Sequence, residues 1–255
     1  MKPKYFYKIL FSIACMLILN VSYSQNAVVA FTKSSPKIIG INNKKEDTLK
    51  KQFEAKGLTW PAKYIYIRSF KYDAQLELWV KNSIREPYKL FKTYKVCMQS
   101  GTMGPKRLQG DFQVPEGFYH INEFNPNSNY HLSMGLNYPN SSDRILSDSL
   151  RPGGDIYIHG SCVSVGCIPL NDDEIEELYL IASYAHANGE EFIPVHVFPI
   201  KYNVKKSAEY LASTTKNKES LKKFEYQLKD VFEYFNEHKQ LPIIMVNKKG
   251  EYVVN

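Results

Sequence analysis

The chain opens on its longest apolar run, Ile9 to Val21, with Lys2, Lys4 and Lys8 ahead of it and Ser22-Tyr23-Ser24 behind. A basic start, a short apolar stretch and small residues before Gln25 form the layout of a secretory signal peptide. The run is shorter than the roughly 20 residues that span a bilayer, so an uncleaved anchor is the weaker reading. Cys15 lies inside the run with Met16-Leu17-Ile18-Leu19 behind it, which argues against lipid attachment. Residues 1–24 are expected to be removed on export to a periplasm, leaving no stable membrane insertion.

Residues 25–60 turn polar around Asn42-Asn43-Lys44-Lys45-Glu46-Asp47 and predict a lead-in with one short helix. From Lys63 the rhythm becomes period two. Tyr64 to Ile67 and Leu76 to Val80 flank the turn-like Tyr72-Asp73-Ala74 and predict a hairpin, and Tyr88 to Cys97 alternates again as a third strand. Gly117 to Ile121 and Phe192 to Phe198 read as strands. Asn125 to Ser142 is crowded with Asn, Pro and Ser and reads as a long loop of the kind that borders binding sites. Asp155 to Ile158 is a short buried strand running into His159-Gly160. Asn171 opens a helix with Glu174 three places on, Ile175, Leu178, Ala182 and Ala185 keep its period, and Asn188-Gly189 closes it. Beyond Lys201 a second helix presents Leu221, Phe224, Leu228, Val231, Phe232 and Phe235 on one face, and a terminal hairpin turns at Asn247 to Gly250. The sum is a mostly β fold with flanking helices, of the α+β class. The body covers 61–200 and a helix-and-hairpin extension covers 201–255.

Composition adds limits. The 255 residues are 44% hydrophobic and 23% charged, as in soluble globular proteins. The net charge of +7 is uneven: residues 25–200 carry nineteen basic and nineteen acidic side chains, and the excess sits at the two ends. A neutral body lacks the clustered Lys and Arg that nucleic acid requires. Without Cys15, three cysteines remain, Cys97, Cys162 and Cys167. An odd number in an oxidising compartment leaves at least one thiol outside intrachain pairing.

The chemistry concentrates in Ile156 to Leu170, which holds His159, Gly160, Cys162, Gly166 and Cys167. A thiol is a weak nucleophile while protonated, and a neighbouring imidazole can take its proton. Glycines beside Cys167 let backbone N–H groups converge as an oxyanion hole requires. Three other readings fit the same residues: a purely structural His and Cys, a zinc site through His159, Cys162 and Cys167 that lacks a fourth ligand, and a Cys162–Cys167 disulfide.

The run His159-Gly160-Ser161 followed by Ser164-Val165-Gly166-Cys167 resembles the signature of the L,D-transpeptidase (YkuD) family. Within it the eight-residue step from His to Cys, with Cys162-Val163-Ser164 between, is similar to the YafK-like branch. Lys106 to Asp111, Pro115 to Tyr119, Asn125 to Ser128, Tyr130 and Tyr138 to Asn140 extend the resemblance, which runs from about Lys63 to the C-terminus. The resemblance implies a β-sandwich or barrel-like catalytic domain with Cys167 as nucleophile and His159 as base. The Gly160 carbonyl would orient the imidazole, and the amides of Val165, Gly166 and Cys167 would serve an oxyanion. Ser161, Ser164, Tyr130 and Arg107 are candidate substrate contacts, although for Arg107 and Lys106 a solvated loop charge is the simpler reading. No metal or cofactor is implied. The implied partners are peptidoglycan stem peptides, attacked at diaminopimelate, and a wall-attached lipoprotein, because the branch includes an amidase that detaches one. Two positions depart from the wider family: Val165 stands where a second His is usual, and Pro169 where an Arg is. A non-catalytic wall-binding module is the alternative that these departures raise.

Overall fold

The computed structural model describes residues 35–254; the expected signal peptide lies outside them. Helix α1 (Pro36–Ala55) begins where the Ser35 side chain accepts the Ile38 amide at 3.2 Å, with proline in the first turn. It is 20 residues long, not the short lead-in helix expected, and it belongs to the core. Ile38, Ile41, Leu49 and Phe53 are buried along one stripe. Its polar appearance misleads because buried Asn42 accepts from the Tyr184 hydroxyl at 2.8 Å and buried Lys45 reaches Asp173 at 2.6 Å.

Eight strands follow in one sheet: β1 (Tyr64–Phe70), β2 (Gln75–Lys81), β3 (Lys89–Lys95), β4 (Gly117–Asn125), β5 (Ser133–Leu136), β6 (Tyr157–His159), β7 (Ile168–Pro169) and β8 (Pro194–Phe198). Their spatial order is β3-β2-β1-β8-β4-β5-β6-β7, with parallel pairs only at β1–β8 and β6–β7. The sheet curls until its edges meet. Just past β3, the Cys97 amide donates to the Pro169 carbonyl of β7 at 3.0 Å. The expected mostly β architecture with flanking helices is the one observed. Strand β5 lies inside the stretch read as a long loop; its four residues are buried but too few to show a period. The same stretch runs into α2 (Ser141–Leu146), where Asn140 and Asp143 form a reciprocal capping box.

Helix α3 (Asp172–Ala187) starts at the Asn171 cap and packs on one face of the sheet with α1. The hairpin expected of the period-two rhythm is formed by β1 and β2, and both strands are buried on both faces. The C-terminal extension covers the second face. It holds two helices rather than one, α4 (Lys205–Thr215) and α5 (Glu219–His238), then the hairpin β9 (Ile244–Val246) and β10 (Tyr252–Val254). Phe232 and Phe235 of α5 lie over Phe70, Phe198, Tyr66 and Trp79. The charges caught beneath are paired: Arg68 donates to Glu77 at 2.6 Å, and Lys201 reaches the other oxygen of Glu77 at 2.7 Å. Among the described residues, no helix is long and apolar enough to cross a membrane.

Candidate active site

His159 ends β6, and Cys167 immediately precedes β7. The two strands run parallel with Ile158 beside Ile168 and His159 beside Pro169. Extending that register by one residue sets Cys167 beside Tyr157. The Cys167 thiol meets the backbone of the segment leading into β6, at the Asp155 carbonyl and the Tyr157 amide. The parallel pairing sets the strand that ends in His159 beside the strand that Cys167 precedes.

The His159 ring is buried, and its Nδ1 lies 2.5 Å from the Gly160 carbonyl oxygen. A carbonyl only accepts, so Nδ1 carries the proton and Nε2 keeps its lone pair. Burial holds the imidazole below its ordinary value, with the Gly160 bond opposing. Gly160 cannot be replaced without strain, because a Cβ there would lie 2.7 Å from Asp172 Oδ1 and 3.0 Å from Ile175 Cγ2. The same Asp172 oxygen accepts the Ser161 amide at 2.8 Å, which pins the turn after His159 to the first residue of α3. Ser161 therefore serves the turn, with φ +57. Tyr130, 47% exposed, sets its ring 4.8 Å from the imidazole.

Cys167 is half-buried and is the free cysteine among the described residues. Burial pushes its thiol up, with the Tyr157 backbone bond and buried Lys106 opposing and Asp155 reinforcing. Its Sγ lies 3.6 Å from the Asp155 carbonyl oxygen. Both shifts favour the neutral forms of thiol and imidazole. A cleft of about 250 Å³ opens alongside, lined by Asp155, Tyr157 and Glu123 among others.

Ser164 closes the turn. Its Oγ accepts the Gly166 amide at 3.2 Å and the Cys167 amide at 3.0 Å, and it donates to the Cys167 carbonyl at 2.8 Å. Two of the three amides expected to serve an oxyanion are therefore engaged by this hydroxyl. The Val165 amide makes no such bond among the described residues, and Val165 is 72% exposed. Gly166, at φ +130, passes close to the Gln113 carbonyl, 3.3 Å from where a Cβ would stand.

Cys162 is bonded to Cys97, with 5.5 Å between their Cα atoms. That corrects the Cys162–Cys167 alternative and removes Cys162 as a zinc ligand. The partner lies 65 residues away in sequence and arrives only because the sheet curls. The bond ties the turn bearing Cys167 to the end of β3. A Cys97→Ser, Cys162→Ser double variant is expected to lose about 10- to 100-fold in acylation rate of Cys167, since small misplacements of a reacting atom cost that much. Its near-ultraviolet circular dichroism should remain native, and an undiminished rate would show that the tether positions nothing.

Arg107 and Lys106 are not solvated loop charges. Lys106 is buried, with Nζ 2.5 Å from Asp111 and 2.9 Å from the Leu108 carbonyl. Arg107 donates to buried Asp143 at 2.9 Å and lies against Phe224, in a groove separate from the thiol. His131 pairs with Glu176 at 2.9 Å, and His196 is sealed against the Tyr66 hydroxyl at 3.0 Å. Asp172, Asp155, Tyr157 and Gln113 shape the site without having been read as site residues. Only the helix-start position of Asp172 carried any sequence signal, because the rest act through backbone proximity.

A curled, β-rich sheet with a buried histidine at the end of one strand and a half-buried cysteine just before its neighbour defines the class. The family model described as the L,D-transpeptidase catalytic domain, YkuD, matches residues 73–197. The candidate L,D-transpeptidase YafK of Escherichia coli K12 is 34% identical over 193 residues, covering 75% of this chain and 74% of that protein. The YafK protein of E. coli O157:H7 matches to the same extent. Two solved structures align at lower similarity. The helical cell shape determining protein Pgp2 of Campylobacter jejuni has 20% identity and a TM-score of 0.42, over 72% of this chain and 73% of that one. Bd1075 of Bdellovibrio bacteriovorus has 19% identity and a TM-score of 0.41, over 74% of this chain and 79% of that one. The chain belongs to the L,D-transpeptidase (YkuD) family.

Proposed function

We propose that the protein is an exported, periplasmic cysteine acyltransferase acting on peptidoglycan stem peptides at diaminopimelate. One observation carries the reading. His159 has its Nδ1–H committed to the Gly160 carbonyl, which leaves Nε2 available as a base at the end of the strand that pairs with the one Cys167 precedes. Family membership supports the substrate class.

As substrate approaches, Nε2 takes the Cys167 proton and sulfur bonds to the acyl carbon. The oxyanion draws on the Val165 amide and on those of Gly166 and Cys167 as Ser164 yields them. On collapse the carbon–nitrogen bond breaks, and the imidazolium returns its proton to the departing amine. The product is a Cys167 thioester. An amine acceptor then forms a cross-link and regenerates the thiol; water releases a carboxylate instead, which makes the enzyme an amidase able to free a wall-attached lipoprotein. Val165 in place of the second His costs little, because an oxyanion uses the amide at that position. Incubation with defined muropeptides, one set bearing an attached lipoprotein peptide, is expected to yield a mass-detectable thioester on Cys167. New dimers identify transfer, and release of the attached peptide identifies hydrolysis. Retention of muropeptides with neither thioester nor turnover would make the chain a wall-binding module.

A further inference from the structure

A groove of about 490 Å³ lies between the catalytic body and the C-terminal extension, within the size range of ligand sites. Its walls come from four separate segments: the loop at 103–113, the end of α2, the first turns of α5 and the turn of the β9–β10 hairpin. The contact between the last two named body and extension pieces is tight, since a Cβ on Gly250 would stand 2.8 Å from Leu146. Met103, Pro105, Leu146, Leu221 and Phe224 supply an apolar lining.

Three cations, Arg107, Lys223 and Lys249, border that lining against a single acid, Glu251, which already pairs with Lys223 at 2.5 Å. Lys249 is exposed and has no ion pair within 4.0 Å among the described residues. Among the described residues Arg107 commits only Nη1, to Asp143 and to the Lys106 carbonyl. The groove adjoins the reacting turn through one residue. Gln113 lines the groove, and its carbonyl abuts Gly166, next to Cys167.

We propose that this groove is a subsite for a carboxylate-bearing peptide, the part of the stem peptide remote from the bond that reacts. The proposal rests on the peptidoglycan reading and extends it, because it makes the C-terminal extension half of the substrate site. Apolar walls with cations at the rim, of which Lys249 has no ion pair among the described residues, suit a short peptide whose carboxylates lie at its edges. The concave shape favours that occupant over a flat lipid surface.

The test is calorimetric titration of the tetrapeptide L-Ala–γ-D-Glu–meso-diaminopimelate–D-Ala into Cys167→Ala protein, which binds without reacting. A Lys223→Glu, Lys249→Glu double variant is expected to weaken binding about tenfold or more, since charge reversal sets like charges against the ligand. Amidating the peptide carboxyls should weaken binding similarly. Lys205→Glu, on exposed α4 outside the groove, should leave Kd unchanged. Both groove lysines are exposed, so folding is not at risk. Unchanged affinity in the double variant, or no binding by Cys167→Ala protein, overturns the proposal. If binding depends on the two lysines yet no thioester forms in the active protein, the subsite stands and the acyl-transfer reading falls. If the double variant instead loses only its retention on phosphatidylglycerol vesicles, the surface belongs to a membrane and the peptide proposal is overturned.

Discussion

Replacing Cys167 with alanine is expected to abolish acylation outright, and replacing His159 with glutamine to slow it by about 10²–10⁴-fold, the usual contribution of a positioned base. A carbapenem adduct, read as a mass increase, should appear on the parent protein and vanish in Cys167→Ala. Labelling that persists in the variant would mean that the nucleophile lies elsewhere. The pH profile carries the sharper test. Burial lowers the His159 imidazole and raises the Cys167 thiol, so the working state pairs a neutral base with a protonated thiol. The acid limb of kcat/KM should therefore fall below the ordinary imidazole value of about 6.5, followed by a plateau through the neutral range. A narrow bell with a raised histidine and a lowered thiol would point to a preformed ion pair.

The largest stability effect is expected at Lys71, which is fully buried at the junction of body and extension. Its ammonium lies within 3.0 Å of the carbonyls of Thr102, Gly104 and Val114 and of Glu116 Oε1. Lys71→Met leaves the Glu116 carboxylate buried without its cation, a loss on the order of 3–5 kcal/mol, measurable by denaturant unfolding. A loss under about 1 kcal/mol would show that the cation is dispensable.

The partner across the junction is Glu225 of α5. Burial comes first among the causes that push its carboxyl far above the ordinary range, followed by Glu116. It therefore carries a proton at neutral pH. Glu190 behaves alike: burial pushes it up to about 8, with the Ile65 amide opposing. A carboxyl whose folded pKa exceeds its unfolded value takes up a proton on folding. Its stabilising linkage is complete below the unfolded pKa near 4.5 and is lost as pH rises through the folded value. The protein should melt at a lower temperature at pH 9 than at pH 6. Glu225→Gln replaces the ionisable carboxyl by a neutral amide beside Glu116 and should flatten that slope while raising stability at pH 9. An unchanged slope would place the proton elsewhere.

Much of the site was legible because it is local. Ile156 to Leu170 holds the strand, the histidine, the glycines and the cysteine within fifteen residues, and reactive residue types at fixed spacing can be read without a fold. Helix α3 was equally legible, since its cap, period and stop all lie within its own sequence. Helix α1 was misread because Asn42 and Lys45 look solvated until Tyr184 and Asp173 are placed beside them. Likewise, only α5, more than a hundred residues later, shows why Arg68 and Glu77 in β1 and β2 are dry.

What the residues alone determined is the chemistry on offer and the short-range elements that carry it, since periodicity, caps and turns depend on neighbours within a few positions. Tertiary structure decided which groups meet and in what charge state. It joined Cys97 to Cys162 rather than Cys162 to Cys167, turned Ser164 onto the Gly166 and Cys167 amides, and moved Arg107 into a groove shared with the extension. Each of these outcomes depends on a distant segment excluding water or supplying a partner, and a linear pattern does not encode that.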